Sequence, residues 1–210
     1  MNLDRSPQTE CAGCGAPVAP DIDLCLSCNN LRELQQPNLL GQINSLLIYR
    51  NTASRLISSW KIGSRRALSP LLVVMLGEFL SARIRSAGYA SLSEIPVIPV
   101  PARPTSRLRR GWDPPGCLTR GLERHYGARV FHPLRRRGKG HQQKSLGREH
   151  RFANIQGAFT IRRRFINQLP PKVILFDDVL TTGATAEECA RVLRNNGVKE
   201  VITVVVARDL

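Results

Sequence analysis

Val173-Ile174-Leu175-Phe176-Asp177-Asp178-Val179-Leu180-Thr181-Thr182-Gly183-Ala184-Thr185 is the stretch from which the fold can be read. An apolar, strand-forming run delivers two carboxylates in succession. Small residues and hydroxyls follow and lead into a helix over Thr185–Asn196, whose Ala186, Cys189, Ala190 and Leu193 share one face. Gly197 stops that helix, and Val201–Ala207, apolar except for Thr203, reads as a buried central strand. Strand, helix and strand at this spacing make a βαβ unit and hence a parallel sheet. Ligands of such sheets gather at the carboxyl ends of the strands. A glycine-containing turn at a helix N-terminus offers free N–H donors and the positive end of the helix dipole. Thr181, Thr182 and Thr185 add hydroxyl donors, which makes a cradle for a phosphate monoester. Asp177 and Asp178 repel phosphate but accept O–H bonds from sugar hydroxyls, so cradle and acid pair together indicate a sugar phosphate. The plainer alternative is an Asp-capped turn before an ordinary helix. A Walker loop is excluded, because no Gly-Lys-Ser/Thr occurs here.

Outward from this unit, Ile95–Val100 reads as a short strand, with Pro96, Pro99 and Pro101 limiting its ladder and ending it in a special turn. Ser69-Pro70 opens a helix that runs through Leu72, Leu76, Leu80 and Ile84 and stops before Gly88. Leu39–Lys61 carries apolar positions at Leu39, Leu40, Ile43, Leu46, Leu47 and Ile48 and is expected to be an amphipathic helix. A helix is expected over Leu118–His125, short strands over Ala128–His132 and Ala158–Ile161, and a long mobile basic loop over Leu134–His150. The organisation expected is a metal module over residues 1–30, a helical connector packed on the core over 31–90, and the sheet domain over 91–210.

Four of the six cysteines form one pattern, Cys11-x2-Cys14 and Cys25-x2-Cys28. Two residues between thiols let one tight turn present both sulfurs to one ion, and two such turns complete a tetrahedral, structural zinc site. Cys117 and Cys189 stand apart and read as buried thiols.

The chain has 210 residues, 42% hydrophobic and only 5% aromatic, enough for an aliphatic core and too much for a wholly disordered chain. The longest apolar run, Leu71–Leu76, is far short of a membrane span, and the N-terminus has no apolar signal region, so a cytoplasmic protein is expected. Net charge is +15, and its distribution is uneven: Pro101–Arg164 holds 17 Lys/Arg against Asp113, Glu123 and Glu149. Such a concentration favours a polyanionic partner. Arg107, Arg109, Arg110, Arg135, Arg136, Arg137, Lys139 and Lys144 are the cations expected to track a single-stranded nucleic-acid backbone, with Trp112 stacking on a base.

At the acid pair and threonine loop the sequence resembles the type I phosphoribosyltransferases. The whole chain, over about residues 10 to 208, resembles the ComF/GntX family of competence-type proteins. That resemblance rests on the four-cysteine module, Ile98-Pro99-Val100-Pro101, Arg107-Leu108-Arg109-Arg110-Gly111, and Gln142–Leu146 with Arg148, Arg151, Asn154, Gly157 and Phe159. It implies an α/β fold, a mostly parallel phosphoribosyltransferase-like sheet flanked by helices, with the small four-cysteine zinc module in front. It also implies that Asp177 and Asp178 meet ribose hydroxyls, Thr181, Thr182, Gly183, Ala184 and Thr185 bind the 5′-phosphate, and Ala102 and Arg103 face the pyrophosphate of phosphoribosyl pyrophosphate held with Mg²⁺. Members of the family are associated with uptake of single-stranded DNA or use of DNA as a nutrient, which implies DNA-uptake or recombination proteins as partners. A true phosphoribosyltransferase acting on an unknown acceptor is the alternative, with Asp177 and Asp178 as its catalytic acids. A third reading is a regulator that only senses the sugar phosphate. One departure stands out: Gly111-Trp112-Asp113-Pro114 replaces the family's Gly-Phe-Asn-Gln.

Overall fold

The computed structural model describes residues 9–20, 22–29, 43–62, 65–103, 105, 108, 110–137 and 155–209. Its centre is a parallel sheet of four strands in the order β3-β8-β7-β4, with β3 at Ile43–Ile48, β4 at Val97–Pro99, β7 at Lys172–Leu180 and β8 at Glu200–Arg208. Central β7 and β8 pair from Lys172↔Glu200 to Leu180↔Arg208. Their continuous Val/Ile/Leu runs are what a strand covered on both faces requires.

Alternation along β7 sorts the core. Ile174 and Phe176 join Val204 and Val206 beneath α2 (Asn51–Lys61), α3 (Ser69–Ser86) and α4 (Pro114–Tyr126). Val173 and Leu175 face the other way, with Val201 and Val205, under Cys189, Ala190 and Leu193 of α5 (Ala184–Arg194). On that second face a short antiparallel hairpin, β5 (Leu134–Arg136) with β6 (Phe159–Ile161), adds Leu134, Phe159 and Ile161 to the core. In front of the sheet, β1 (Thr9–Glu10) and β2 (Pro17–Val18) pair antiparallel, and α1 (Leu26–Asn29) is a single turn.

Several expectations are corrected. The amphipathic helix expected over Leu39–Lys61 is, from Ile43 onward, the edge strand β3 followed by α2, so the expected helical connector supplies a strand of the main sheet. Ile43, Leu46 and Leu47 have helical spacing, but a short apolar run fits a strand equally, and pairing with β8 decides it. Asn51 turns the chain from strand to helix with φ 44°, a conformation asparagine tolerates. The loop expected from Leu134 begins as β5, because Leu134 is buried beside Phe159; positions 138–150 of it lie outside the described residues. Ala128–His132 makes only the single bridge Val97↔Val130. The helix expected from Leu118 begins at Pro114, since Asp113 accepts the Gly116 N–H at 3.3 Å and proline follows it at the first helical position. That cap also gives the substituted Gly111–Pro114 segment a physical role.

α3 and the turn before it, Arg66–Ser86, form the one helical stretch among the described residues long and apolar enough to cross a membrane. Half of it is buried, with Leu72, Leu76, Leu80 and Ile84 inside the core.

Candidate functional site

The acid pair lies at the carboxyl end of β7, which continues through both carboxylates to Leu180 rather than ending at Asp177. Alternation sends Asp178 to the side of Ile174 and Phe176, and Asp177 to the opposite side. The Asp178 N–H donates to Asp177 Oδ1 at 2.8 Å, and the Val179 N–H donates to Asp178 Oδ1 at 2.7 Å. Lys61 Nζ, from the last turn of α2, meets Asp178 Oδ2 at 2.8 Å. Burial, and then the charge of Asp178, push the Asp177 carboxyl far above the usual carboxylate range, to about 8. Lys61 is a site residue that the sequence reading missed; its apolar neighbours mark it only as the end of a helix.

After Leu180 the chain turns through Thr181 and Thr182 to Gly183, whose φ of 77° favours glycine and starts α5. Asp177, Val179, Thr181, Thr182, Gly183 and Thr185 line a small cradle of about 40 Å³ there. The methyl of Ala184, the first residue of α5, packs into the core below the cradle.

The Val100 N–H donates to the Phe176 carbonyl at 2.8 Å, so the chain leaves β4 beside the acid pair. Pro101 and Ala102 are half-buried there and Arg103 is exposed. Pro101 and Ala102, but not Arg103, line a cleft of about 290 Å³ between the Pro99–Ala102 turn, the first turn of α4 and the β5–β6 hairpin. Arg135, Arg136, Arg162 and His132 line it; the last two carried no expected role. Arg136 lies 4.8 Å from the centroid of Phe159, and burial, then the charge of Arg103, pull its pKa down. Among the described residues no carboxylate pairs with it. Burial likewise lowers the pKa of His132, against the pull of Glu123.

The cysteine module meets its expectation as a cluster. The sulfurs of Cys11, Cys14, Cys25 and Cys28 lie within 4.8 Å of one another, with Cys14 and Cys25 at 3.7 Å. Zinc–sulfur bonds of about 2.3 Å place tetrahedral sulfurs about 3.8 Å apart, so the four thiols fit such an ion. N–H groups of Gly13 and Cys25 point at Cys11 Sγ from 3.4 and 3.3 Å. Burial opposes the Cys11 thiolate, but the backbone N–H groups of Cys14, Cys25 and Gly13 prevail and bring it down to about 6. Burial and the surrounding thiols raise Cys28. The module is not an appendage: Cys11, Ala12, Leu24 and Cys28 belong to the same buried cluster as Ala53, Leu56 and Ile57 of α2.

Of the cations expected along a nucleic-acid strand, Arg135 and Arg137 are exposed, Arg136 and Arg110 are half-buried, and Arg107, Arg109, Lys139 and Lys144 lie outside the described residues. Trp112 is not an exposed stacking platform. It is 9% exposed, edge-on to Trp60 at 5.4 Å, with the Arg66 guanidinium 5.5 Å from its ring. Its Nε1 is buried and has no hydrogen-bond partner among the described residues. Tyr126 donates its hydroxyl to the Val74 carbonyl and Phe131 packs edge-on to Phe165, so both are packing residues.

Parallel sheet, acid pair at the end of a central strand and threonine turn into a helix together define an α/β protein that carries a four-cysteine module. No protein-family model matches the chain. It is 31% identical to competence protein F of Haemophilus influenzae over 130 residues, covering 60% of this chain and 56% of that protein. It is 28% identical to the DNA utilization protein YhgH of Escherichia coli K12 over 202 residues, 94% of this chain and 83% of that one. The YhgH protein of Salmonella typhimurium is 29% identical over 196 residues, 91% and 80% of the two chains. The chain is thus similar to competence protein F and to YhgH, and its match spans just over half the length of the former. A solved structure of the allosteric regulatory enzyme of purine biosynthesis aligns over 65% of this chain and 25% of its own, at 17% identity and a TM-score of 0.38.

Proposed function

We propose that this protein handles nucleic acid on a phosphoribosyltransferase-like scaffold, binding single-stranded DNA and phosphoribosyl pyrophosphate in the cytoplasm, in DNA uptake or the use of DNA. The observation that carries the sugar-phosphate half is the juxtaposition of Asp177 and Asp178 with the Thr181–Thr185 cradle at one strand end. Hydroxyl acceptors stand beside phosphate donors, at the separation that one strand and one turn impose. The DNA half is supported by the names of the relatives and by 17 cations between Pro101 and Arg164. In this reading the cysteine module holds zinc as a structural ion, and Mg²⁺ arrives with the pyrophosphate. Calorimetric titration with Mg²⁺–phosphoribosyl pyrophosphate and, separately, with single-stranded DNA tests both halves. Saturable heats with each are expected, and silence with either removes that half.

A second reading, transfer of ribose 5-phosphate to an acceptor, is favoured by the 290 Å³ cleft beside the acid pair. Pyrophosphate release dependent on an added acceptor distinguishes it.

A further inference from the structure

We infer that Lys61 is the resident counter-ion of the Asp177–Asp178 pair, and that it makes the pair refuse a free divalent cation and accept a sugar phosphate that brings its own. The second half of this inference rests on the proposed function; the first does not.

Two adjacent carboxylates at a strand end are ordinarily an invitation to Mg²⁺ or Mn²⁺, which take several oxygen ligands at once. Here the oxygens are largely engaged. Asp178 Oδ2 holds Lys61 Nζ at 2.8 Å, Asp178 Oδ1 accepts the Val179 N–H, and Asp177 Oδ1 accepts the Asp178 N–H. Of the four carboxylate oxygens, only Asp177 Oδ2 has no protein donor among the described residues. The ammonium also cancels the negative charge of the Asp178 carboxylate it pairs with. What is left suits a hydroxyl donor and is too poor in oxygen and in charge for a bare dication.

Lys61 is not a loose surface lysine. Its side chain is 17% exposed and that of Asp178 12%. Trp60, next in the chain, is fully buried and donates its Nε1–H to Ser69 at 3.0 Å, which fixes the last turn of α2 against α3. The opposite end of α2 abuts the cysteine module, where any Cβ on Gly13 would meet the methyl of Thr52 at 3.0 Å. The helix therefore presents the ammonium to the acids as a fixed element of the site. Displacing it would break an ion pair whose side chains are only 17% and 12% exposed, so displacement by a dication is costly.

The experiment uses the full zinc-loaded chain without sugar phosphate, with bound Mn²⁺ read by electron paramagnetic resonance. Wild type is expected to bind no Mn²⁺ at equimolar metal. Lys61→Gln is expected to bind it about a hundredfold more tightly, the scale of removing one unit charge a few ångströms away. Lys61→Met, which keeps the apolar stem, is a second neutral variant with the same expectation, and Lys61→Arg should behave as wild type. Wild type binding Mn²⁺ as tightly as the neutral variants overturns the inference, as do folded neutral variants that bind none. Titration with Mg²⁺–phosphoribosyl pyrophosphate is run in parallel. Mn²⁺ gained by Lys61→Gln with no sugar-phosphate binding by wild type overturns the proposed function alone. Sugar-phosphate binding with equal Mn²⁺ affinity in wild type and variant overturns the role of Lys61 alone.

Discussion

Replacing Trp112 by alanine should unfold the protein more easily without lowering the affinity proposed for single-stranded DNA. The residue is only 9% exposed and meets Trp60 edge-on at 5.4 Å, with Arg66 5.5 Å from its ring centre. Truncating a buried tryptophan removes its transfer free energy and leaves a cavity, together about 3–5 kcal/mol. The aromatic pair contributes about 0.5–1.5 kcal/mol of that kind of loss beyond area alone. Trp112→Phe is the informative partner. It keeps an aromatic ring and deletes the buried Nε1–H, which has no partner among the described residues and whose desolvation costs about 1–3 kcal/mol. A smaller ring loses some packing, so the two effects oppose each other and the net change should be under about 1 kcal/mol. Urea unfolding followed by tryptophan fluorescence and circular dichroism measures both variants, and fluorescence anisotropy with a labelled single strand measures affinity under conditions where each is folded. Trp112→Ala as stable as wild type, with DNA affinity lowered at every salt concentration, would refute the packing role and restore Trp112 as a stacking platform.

Cys25→Ser should abolish the zinc binding expected of the four-cysteine cluster, as read by metal analysis. It should also lower the unfolding midpoint of the whole protein, because Cys11, Ala12, Leu24 and Cys28 share a buried cluster with α2; intact global stability would contradict that shared core. Asp177 is held by burial and by the Asp178 charge at a pKa of about 8, so the folded state keeps a proton that the unfolded chain loses near its ordinary value of 3.8. Its favourable contribution is complete below that value and is lost as pH rises to about 8, so Asp177→Asn should flatten the decline in stability across this window; parallel pH profiles would contradict it. Arg135 and Arg137 are exposed while Arg136 turns in over Phe159. Arg135→Ala with Arg137→Ala should therefore reduce the slope of log K against log salt for single-stranded DNA by about 1.4, at about 0.7 per phosphate. An unchanged slope in that titration would remove both residues from the DNA interface.

Where local chemistry dominates, the structure was legible in the sequence. β7, α5 and β8 follow from an unbroken apolar run, a one-faced helix and a second apolar run, and the cysteine cluster follows from its spacing alone. Ile43–Ile48 was not legible, because its identity as a strand depends on β8, far along the chain, offering a free edge. The start of α4 was legible in principle: Asp113-Pro114 is an N-cap followed by proline, masked by the turn-like Pro114-Pro115-Gly116. Leu134–Arg136 looks like loop because two of its three residues are arginines, and only the burial of Leu134 makes it a strand. Lys61 could not be found, since nothing in α2 announces that its last turn will stop above a carboxylate on the central strand. Trp112 was misplaced for a related reason: an aromatic among cations reads as a stacking surface until Trp60 is seen against it.

Calorimetric titration of wild type and of Asp177→Asn with Asp178→Asn, using Mg²⁺–phosphoribosyl pyrophosphate, tests the central claim most directly. The account predicts saturable binding to the wild type, none to the double variant under conditions where circular dichroism shows it folded, and binding weakened by about 1–3 kcal/mol in Thr182→Val, which removes one hydroxyl donor to a charged phosphate. A wild type silent up to about millimolar ligand, near the weak end of specific recognition, or a double variant that binds as well as wild type, would contradict it.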